Sequence, residues 1–407
     1  LRQPVRRYVT VGDSVVAGVA TGGLRRSAAH RIACAVVTAE IRRLRDGDLS
    51  RLPAVDWSED MPIGDEGLGL DSIEQLGALG ALAETFGLAD DLFGAEPPGR
   101  VGAWIDWIMA DGDTVDRRIT VTTSGSTGAP RACSHALADL LDEAAYLGTR
   151  LADRRRVVAM VPAHHLYGMV WTALLPAALG VPVVIRTIGA PLDLTAGDIV
   201  IAVPEQWLAL SRIVRRFPDD IVGVSSAGVL DDRVATGLLA AGLARLVDVY
   251  GASETSAIAI RDVPASTYDL LPRWHLASCD DGDWHLVDRS GGRVELPDRI
   301  DRTGDRALRP IGRRDGAVQV GGHNVWPDRV ARILRGADGV ADVAVRLHAN
   351  GRLKAFIVPI DGRDLDDLSA TLDRVVADRL TAAERPKSFR FGNSLPRGEM
   401  GKLADWV

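Results

Sequence analysis

The chain has 407 residues, 46% of them apolar and 25% charged, with a formal net charge of −7. That length supports two or three domains with sizeable cores, and the composition excludes a disordered or fibrous protein. The acidic balance without long Lys/Arg runs argues against a nucleic-acid or polybasic membrane surface, leaving a small-molecule substrate as the expected partner.

Helical spacing first appears at residues 28–45, where Ile32, Ala35, Val36, Ala39 and Ile41 recur before the polar stop Asp46-Gly47-Asp48. A looser acidic stretch, broken by Pro62, Gly64, Gly67 and Gly69, leads to a second helix opening at Leu70-Asp71-Ser72-Ile73. Its expected apolar face is Ile73, Leu76, Leu79, Leu82 and Phe86, and Ser72 with Gln75 reads as its capping box. A third, short helix spans residues 101–109. Beyond Gly112 the pattern turns to β-rich runs between helical ones: residues 119–123, 157–161, 181–185, 199–203, 221–225 and 246–250. From about Gly316, strands (343–347, 353–358) alternate with helices (327–334, 365–380), as in a compact α+β lid.

Cys34, Cys133 and Cys279 fit neither a disulfide framework nor a zinc spacing, so they read as reduced thiols of a cytoplasmic protein. No apolar run is long enough to span a bilayer, and Gly12-Asp13-Ser14 interrupts what would otherwise suggest a signal peptide.

The most informative segment is Thr122-Thr123-Ser124-Gly125-Ser126-Thr127-Gly128-Ala129-Pro130-Arg131. Its glycines let backbone N–H groups approach an anion, its hydroxyls add donors, and Arg131 adds a permanent charge, a combination suited to polyphosphate. No Gly-Lys-Ser/Thr follows, so it is not a Walker loop.

This segment resembles the T-S-G-S-T-G-x-P-K hallmark of the adenylate-forming superfamily, which includes acyl-CoA synthetases, peptide-synthetase adenylation domains and luciferases. Further landmarks follow in that family's order. Residues 161–168, with His164, His165 and Tyr167, are similar to the acid-pocket motif P-x-x-H-x-x-G. Ser225-Ser226-Ala227-Gly228-Val229-Leu230 is similar to the S-G-G-A-P-L turn against adenine, and Tyr250-Gly251-Ala252-Ser253-Glu254-Thr255 to Y-G-x-T-E. Thr303-Gly304-Asp305 resembles the T-G-D ribose motif, Gly312-Arg313-Arg314-Asp315 the G-R-x-D hinge, and residues 396–402 the terminal P-R-x-x-x-G-K.

The resemblance covers residues from about 115 onward. It implies an α/β adenylate-forming fold, with a large core (113–312) and a small α+β lid (313–407). It also implies activation of a carboxylic acid by MgATP to acyl-AMP, then transfer to a pantetheine thiol of coenzyme A or a carrier protein. By resemblance, Thr123, Ser124, Gly125, Ser126, Thr127, Gly128 and Arg131 hold phosphate, and Lys402 bridges carboxylate and phosphate. Glu254 holds Mg²⁺ and Ser253 meets the α-phosphate. Ala227, Tyr250 and Gly251 surround adenine, Asp305 and Arg313 take the ribose, His164, His165, Tyr167 and Gly228 form the acid pocket, and Asp315 is the hinge.

Three departures bear on function. Arg131 stands where the family carries lysine, and a planar fork holds phosphate differently from a point charge. Gln319 replaces a common lid lysine, whereas Gly321-Gly322-His323-Asn324-Val325-Trp326-Pro327 is similar to the G-G-x-N-V-Y-P run of acyl- and aryl-CoA ligases. The acid-pocket motif lacks the Asp that peptide synthetases pair with an amino group. Because an unpaired buried ammonium is costly, an aromatic or medium acyl acid is expected rather than an amino acid. Tyr167, Trp171 and Trp207 are candidate pocket walls, although two of the three could equally be core.

Residues 28–112, after a short extension (1–27), resemble an acyl carrier protein through Gly69-Leu70-Asp71-Ser72-Ile73, and Ser72 is the position matching its phosphopantetheine serine. A degenerate carrier fold retained as an N-terminal subdomain is the expectation. Modification of Ser72, which would let the enzyme load its own arm, and a catalytically silent acyl-adenylate or carrier-docking protein are the alternatives. Tyr8 to Ser14 looks like the first block of a G-D-S esterase, but no later D-x-x-H supports it.

Overall fold

The computed structural model describes residues 23–53, 57–88, 97–110, 116–124, 130–279, 283–321, 323–397 and 403–406. Three helices come first: α1 (Arg26–Leu44), α2 (Ser72–Phe86) and α3 (Val101–Ala110). The cap of α2 is Asp71, not Ser72. The Asp71 carboxylate accepts from the N–H groups of Ile73 and Glu74, while Glu74 accepts from the N–H of Asp71. Ser72 is thus the first helical residue, and Gln75 donates to the carbonyl of Leu70 instead. The buried face also differs from expectation, because α2 meets the body through Ala78, Leu82 and Phe86 while Ile73 and Leu76 are 72% and 71% exposed.

These helices do not form a separate globule. Ile32, Val37, Leu82, Phe86 and Trp104 share one continuous core with Ile119, Leu140, Trp171 and Leu175 of the body. A helical unit at 28–112 is therefore visible in the chain but not independent in packing: α1 packs against α2 and α3, and the same apolar stripes also meet the body.

The body begins with an antiparallel hairpin, β1 (Arg118–Ser124) and β2 (Pro130–Ala136), followed by α4 (Leu137–Arg150). Its main sheet has nine strands. Five run parallel: β3 (Arg156–Ala159), β4 (Val183–Ile185), β5 (Asp198–Ala202), β6 (Val222–Ser225) and β7 (Arg245–Ala252), in the spatial order β4-β3-β5-β6-β7. β5 and β6 are buried along their whole length, as the continuous apolar runs of a covered parallel sheet require. The chain leaves β3 on one side to form β4 and returns on the other as β5, which opens a crevice at the carboxyl ends of the strands.

Beyond β7 the sheet turns antiparallel through β8 (Ser256–Asp262) and β9 (Tyr268–Leu270). A small three-stranded sheet, β10 (His275–Ser278), β11 (Trp284–Val287) and β12 (Arg293–Glu295), comes next in the chain. β13 (Asp298–Arg302) and β14 (Ala307–Arg313) then complete the main sheet. β9, β13 and β14 escape sequence reading because they are only partly buried and carry Arg or Asp, whereas β8 is buried from Ser256 to Ile260.

The last segment has its own core, in which Val320, Val325, Val330, Leu334, Ile357, Leu368 and Leu372 pack together. It contains the hairpin β15 (Val318–Val320) and β16 (His323–Val325), helix α9 (Pro327–Arg335), strands β17 (Val340–Leu347) and β18 (Leu353–Pro359), helix α10 (Leu365–Arg379) and strand β19 (Ser388–Phe391).

Candidate active site

Two antiparallel strand pairs meet at the centre of the site through Arg131 and Glu254. The hairpin of β1 and β2 sets Thr123 opposite Arg131 and Ser124 opposite Pro130. Its tip, with Gly125, Ser126, Thr127 and Gly128, lies outside the described residues. Across from it, β7 folds back into β8 so closely that a Cβ on Gly251 would stand 2.3 Å from the carbonyl oxygen of Ser256, and only glycine fits. The turn between these strands projects Glu254, and Arg131 Nη1 lies 3.8 Å from Glu254 Oε1 with both side chains open to solvent. The Thr255 hydroxyl accepts from the N–H of Ala252 and donates to the carbonyl of Ser256, bracing the turn.

The adenine-turn residues follow β6. Ser226 donates its hydroxyl to the carbonyl of Val249 at 3.0 Å, joining this turn to β7. Ala227 has φ of 65°, a left-handed conformation that explains why glycine belongs there, and Gly228 and the exposed Val229 follow. Tyr250 packs edge-on to Tyr268 and donates its hydroxyl to Asp298 at 2.9 Å. Burial and the adjacent Asp298 charge push the Tyr250 phenol up, and burial raises Asp298 despite the hydrogen bond from Tyr250.

Arg313 is in register with Asp298 across β13 and β14. Its guanidinium forks onto Asp315, with distances of 3.0 and 2.8 Å, and holds that carboxyl below its ordinary range. Asp305 is elsewhere: it occupies the fully exposed turn between β13 and β14 and pairs with Arg302 at 2.9 Å. The two residues expected to share a ribose, Asp305 and Arg313, thus sit at opposite ends of one hairpin. Asp298 is the carboxylate that accompanies Tyr250 and Arg313, and no sequence motif marks it.

The acid-pocket motif joins β3 to α5 (Leu166–Met169), which continues through a π-helical turn (Val170–Leu174) into α6 (Leu175–Leu179). A Cβ on Gly168 would meet the carbonyl oxygen of Pro162 at 1.9 Å, which accounts for the glycine of that motif. The rings of His164 and His165 lie 4.0 Å apart. Burial, with smaller contributions from His165 and Arg42, depresses His164 to about 3, so it is a neutral imidazole, and its Nδ1 has no hydrogen-bond partner among the described residues. His165 reaches the surface; surrounding atoms, and then His323 of the lid, lower its pKa.

The aromatic walls expected of the pocket are largely core. Trp171 and Trp207 are fully buried, the latter donating to the carbonyl of Val224, and Tyr167 spends its hydroxyl on the carbonyls of Ala202 and Val224. They were candidates because an aromatic beside the motif reads alike whether it faces a ligand or the sheet.

Lys402 lies outside the described residues, but its flanks are anchored. Arg397 bridges to Leu403, and the N–H of Ala404 donates to the carbonyl of Pro396. Lys354, 4% exposed, pairs with Asp405, and Trp406 packs edge-on against Phe356. In the lid, Gln319 is a neutral amide that supplies no charge, and it donates to Asn324. Ser72 is exposed at the start of α2.

Glu254 suits magnesium delivered on ATP: one half-exposed carboxylate is enough for an ion that keeps water and phosphate oxygens as its other ligands. Among the described residues, no group of three or more His, Cys, Asp or Glu could hold a metal, and no helix is long and apolar enough to cross a membrane.

Comparison with known proteins agrees with this arrangement. Residues 116–297 match the AMP-binding enzyme family. A 4-coumarate–CoA ligase of Halorhodospira halophila is 38% identical over 363 residues, covering 86% of this chain and 91% of that protein. A 4-coumarate–CoA ligase of Rhodobacter capsulatus is 37% identical over 394 residues, covering 93% and 99%. Among solved structures, the o-succinylbenzoate CoA synthetase of Bacillus subtilis superposes with a TM-score of 0.58 at 18% identity, covering 74% of this chain and 72% of that one, which bears on the fold. With nearly full-length relatives, and with the acid motif and the Glu254 turn following the carboxyl ends of β3 and β7, the chain belongs to the AMP-binding, adenylate-forming enzymes and is an acid–thiol ligase that uses ATP, Mg²⁺ and coenzyme A.

Proposed function

We propose that the acid is a planar aryl acid of the 4-coumarate kind, made into its coenzyme A thioester through an acyl-adenylate. The observation that carries this reading is the meeting of Arg131 with Glu254 beside the Tyr250–Asp298 pair. It supports a reading in which cationic, metal-binding and nucleotide-facing groups surround one crevice, as adenylation requires. Nearly full-length similarity to two ligases of that name supports the substrate class.

In the first half-reaction the acid's carboxylate attacks the α-phosphorus of ATP and pyrophosphate leaves. Charge builds on phosphate oxygens, so the protein contributes position and electrostatic stabilisation. Arg131 and Lys402 supply cations, and the Ser253 hydroxyl donates to the α-phosphate. Glu254 would hold magnesium carried on the nucleotide, and the ion would supply neutralisation of phosphate charge. Tyr250 presents its ring to adenine with its hydroxyl fixed by Asp298, and Asp298 rather than Asp305 accepts the ribose hydroxyls. Neutral His164 and surface-reaching His165 border the acid with Gly228, a wall without a carboxylate to hold an amino group.

In the second half-reaction the lid, residues 313–407, turns about Asp315 and the hairpin of β15 and β16 replaces Lys402 at the site. The thiol then displaces AMP. Cys34, Cys133 and Cys279 form no disulfide, and the first two are buried, which supports a reducing, cytoplasmic setting. The test is ATP–pyrophosphate exchange across aryl, aliphatic and amino acids; exchange stimulated by amino acids but not by 4-coumarate and its analogues refutes the substrate class.

A carrier acceptor is a second reading, favoured by one observation: Ser72 is exposed and flanked by the exposed Ile73 and Leu76. Weighing the intact protein for a phosphopantetheine arm decides it, and ready thioester formation on free coenzyme A by unmodified protein eliminates loading in cis.

A further inference from the structure

We propose that His135 and Glu143 are positioning residues that hold the magnesium-binding turn in register with the phosphate hairpin. Neither residue touches nucleotide in the roles assigned above, yet both end on the turn that carries Ser253 and Glu254. The His135 ring, buried at the end of β2, has Nε2 2.7 Å from the carbonyl oxygen of Ser253. A carbonyl only accepts, so Nε2 carries the proton and donates. Glu143, buried on α4, accepts the hydroxyl of Ser256 at 3.1 Å. Ser256 has φ of 59°, a conformation disfavoured for any residue with a side chain, and the hydrogen bond to Glu143 accompanies that unusual backbone.

The two tethers bracket Glu254, one on each side, and both originate in the segment leaving the phosphate hairpin. Arg131 and His135 are four residues apart in the same strand and therefore share a face of β2. One strand thus reaches the turn twice, at the Glu254 carboxylate through Arg131 and at the Ser253 carbonyl through His135. MgATP spans hairpin and turn at once, so its affinity depends on their separation being fixed before it binds. The acid and the thiol meet neither tether.

The test uses the full-length enzyme and rests on the site assignment of the preceding section, so Glu254→Gln is included. His135→Leu removes the donor and His135→Gln places an amide N–H at a similar reach. His135→Leu is expected to raise KM for MgATP in pyrophosphate exchange about tenfold, the worth of one good hydrogen bond. KM for the acid, and thioester formation from supplied acyl-adenylate, should stay near wild type, and His135→Gln should recover most of the loss. Ser256→Ala, which cuts only the second tether, should raise KM for MgATP in the same direction and covers the case in which His135→Leu does not fold. An unchanged KM for MgATP in both His135→Leu and Ser256→Ala overturns the proposal. So does a parallel loss of every activity and of melting temperature that His135→Gln does not relieve, which would mark a purely structural histidine. Should Glu254→Gln retain full exchange, the site assignment itself falls; should it abolish exchange while the tether variants behave as wild type, only the tethers fall.

Discussion

Removal of the Asp298 carboxylate separates two residues that a sequence motif cannot. Asp298 accepts the Tyr250 hydroxyl at 2.9 Å and stands in register with Arg313, whereas Asp305 lies in an exposed turn on Arg302. A hydrogen bond to a charged acceptor is worth roughly 1.5–3 kcal/mol, a change of about tenfold to hundredfold in an equilibrium constant. Asp298→Ala removes the proposed ribose contact and the partner of the Tyr250 hydroxyl, so KM for ATP should rise about tenfold to a hundredfold. Asp305→Ala breaks only an exposed ion pair of the kind that contributes little, and its KM for ATP should match wild type. Tyr250→Phe, which keeps the ring and drops the hydroxyl, should fall between them. The assay is the initial rate of pyrophosphate exchange against ATP concentration at saturating acid, with melting curves confirming that each variant is folded. If Asp305→Ala loses as much as Asp298→Ala, the reasoning from the Tyr250 contact is refuted and the T-G-D match was the better guide.

Three further outcomes are expected. Burial lifts Glu143 to about 7 from its ordinary 4.5, so between those pH values the folded protein retains a proton that the unfolded chain has lost, and stability falls as pH rises through that window. Glu143→Gln removes this dependence: its advantage in melting temperature should be largest near pH 8, reflecting up to about 3 kcal/mol, and vanish toward pH 5; a gap constant with pH would contradict it. Lys402→Ala should abolish pyrophosphate exchange yet leave thioester formation from supplied acyl-adenylate largely intact, and equal loss of both would deny lysine its role in the first step alone. Ala227→Gly relieves a left-handed alanine and should stabilise the protein by about 0.5–1 kcal/mol in urea unfolding, unless the φ of 65° is costless there.

Much of the body was legible because the information is local. Parallel strands covered on both faces must be apolar along their length, so the runs at 199–203 and 221–225 announced β5 and β6. Gly168 and Gly251 are each required by a backbone oxygen closer than a Cβ allows, and such requirements persist as motifs. The helices at 327–334 and 365–380 were equally plain, because amphipathic spacing repeats every turn.

The sequence by itself therefore determined the adenylate-forming chemistry, the glycine-dependent turns and the alternating strands and helices. Only the tertiary structure decided which aspartate partners Tyr250, that Asp71 rather than Ser72 starts α2, that Trp171 and Trp207 belong to the core, and that α1 to α3 are fused to the body. The physical reason is range. A motif records what a few neighbouring residues need from their own backbone, whereas Tyr250 and Asp298 are 48 residues apart and meet although β8, β9 and β14 separate their strands in the sheet order. No local pattern encodes that order, and an aspartate in an exposed turn spells the same three letters as one beside a tyrosine.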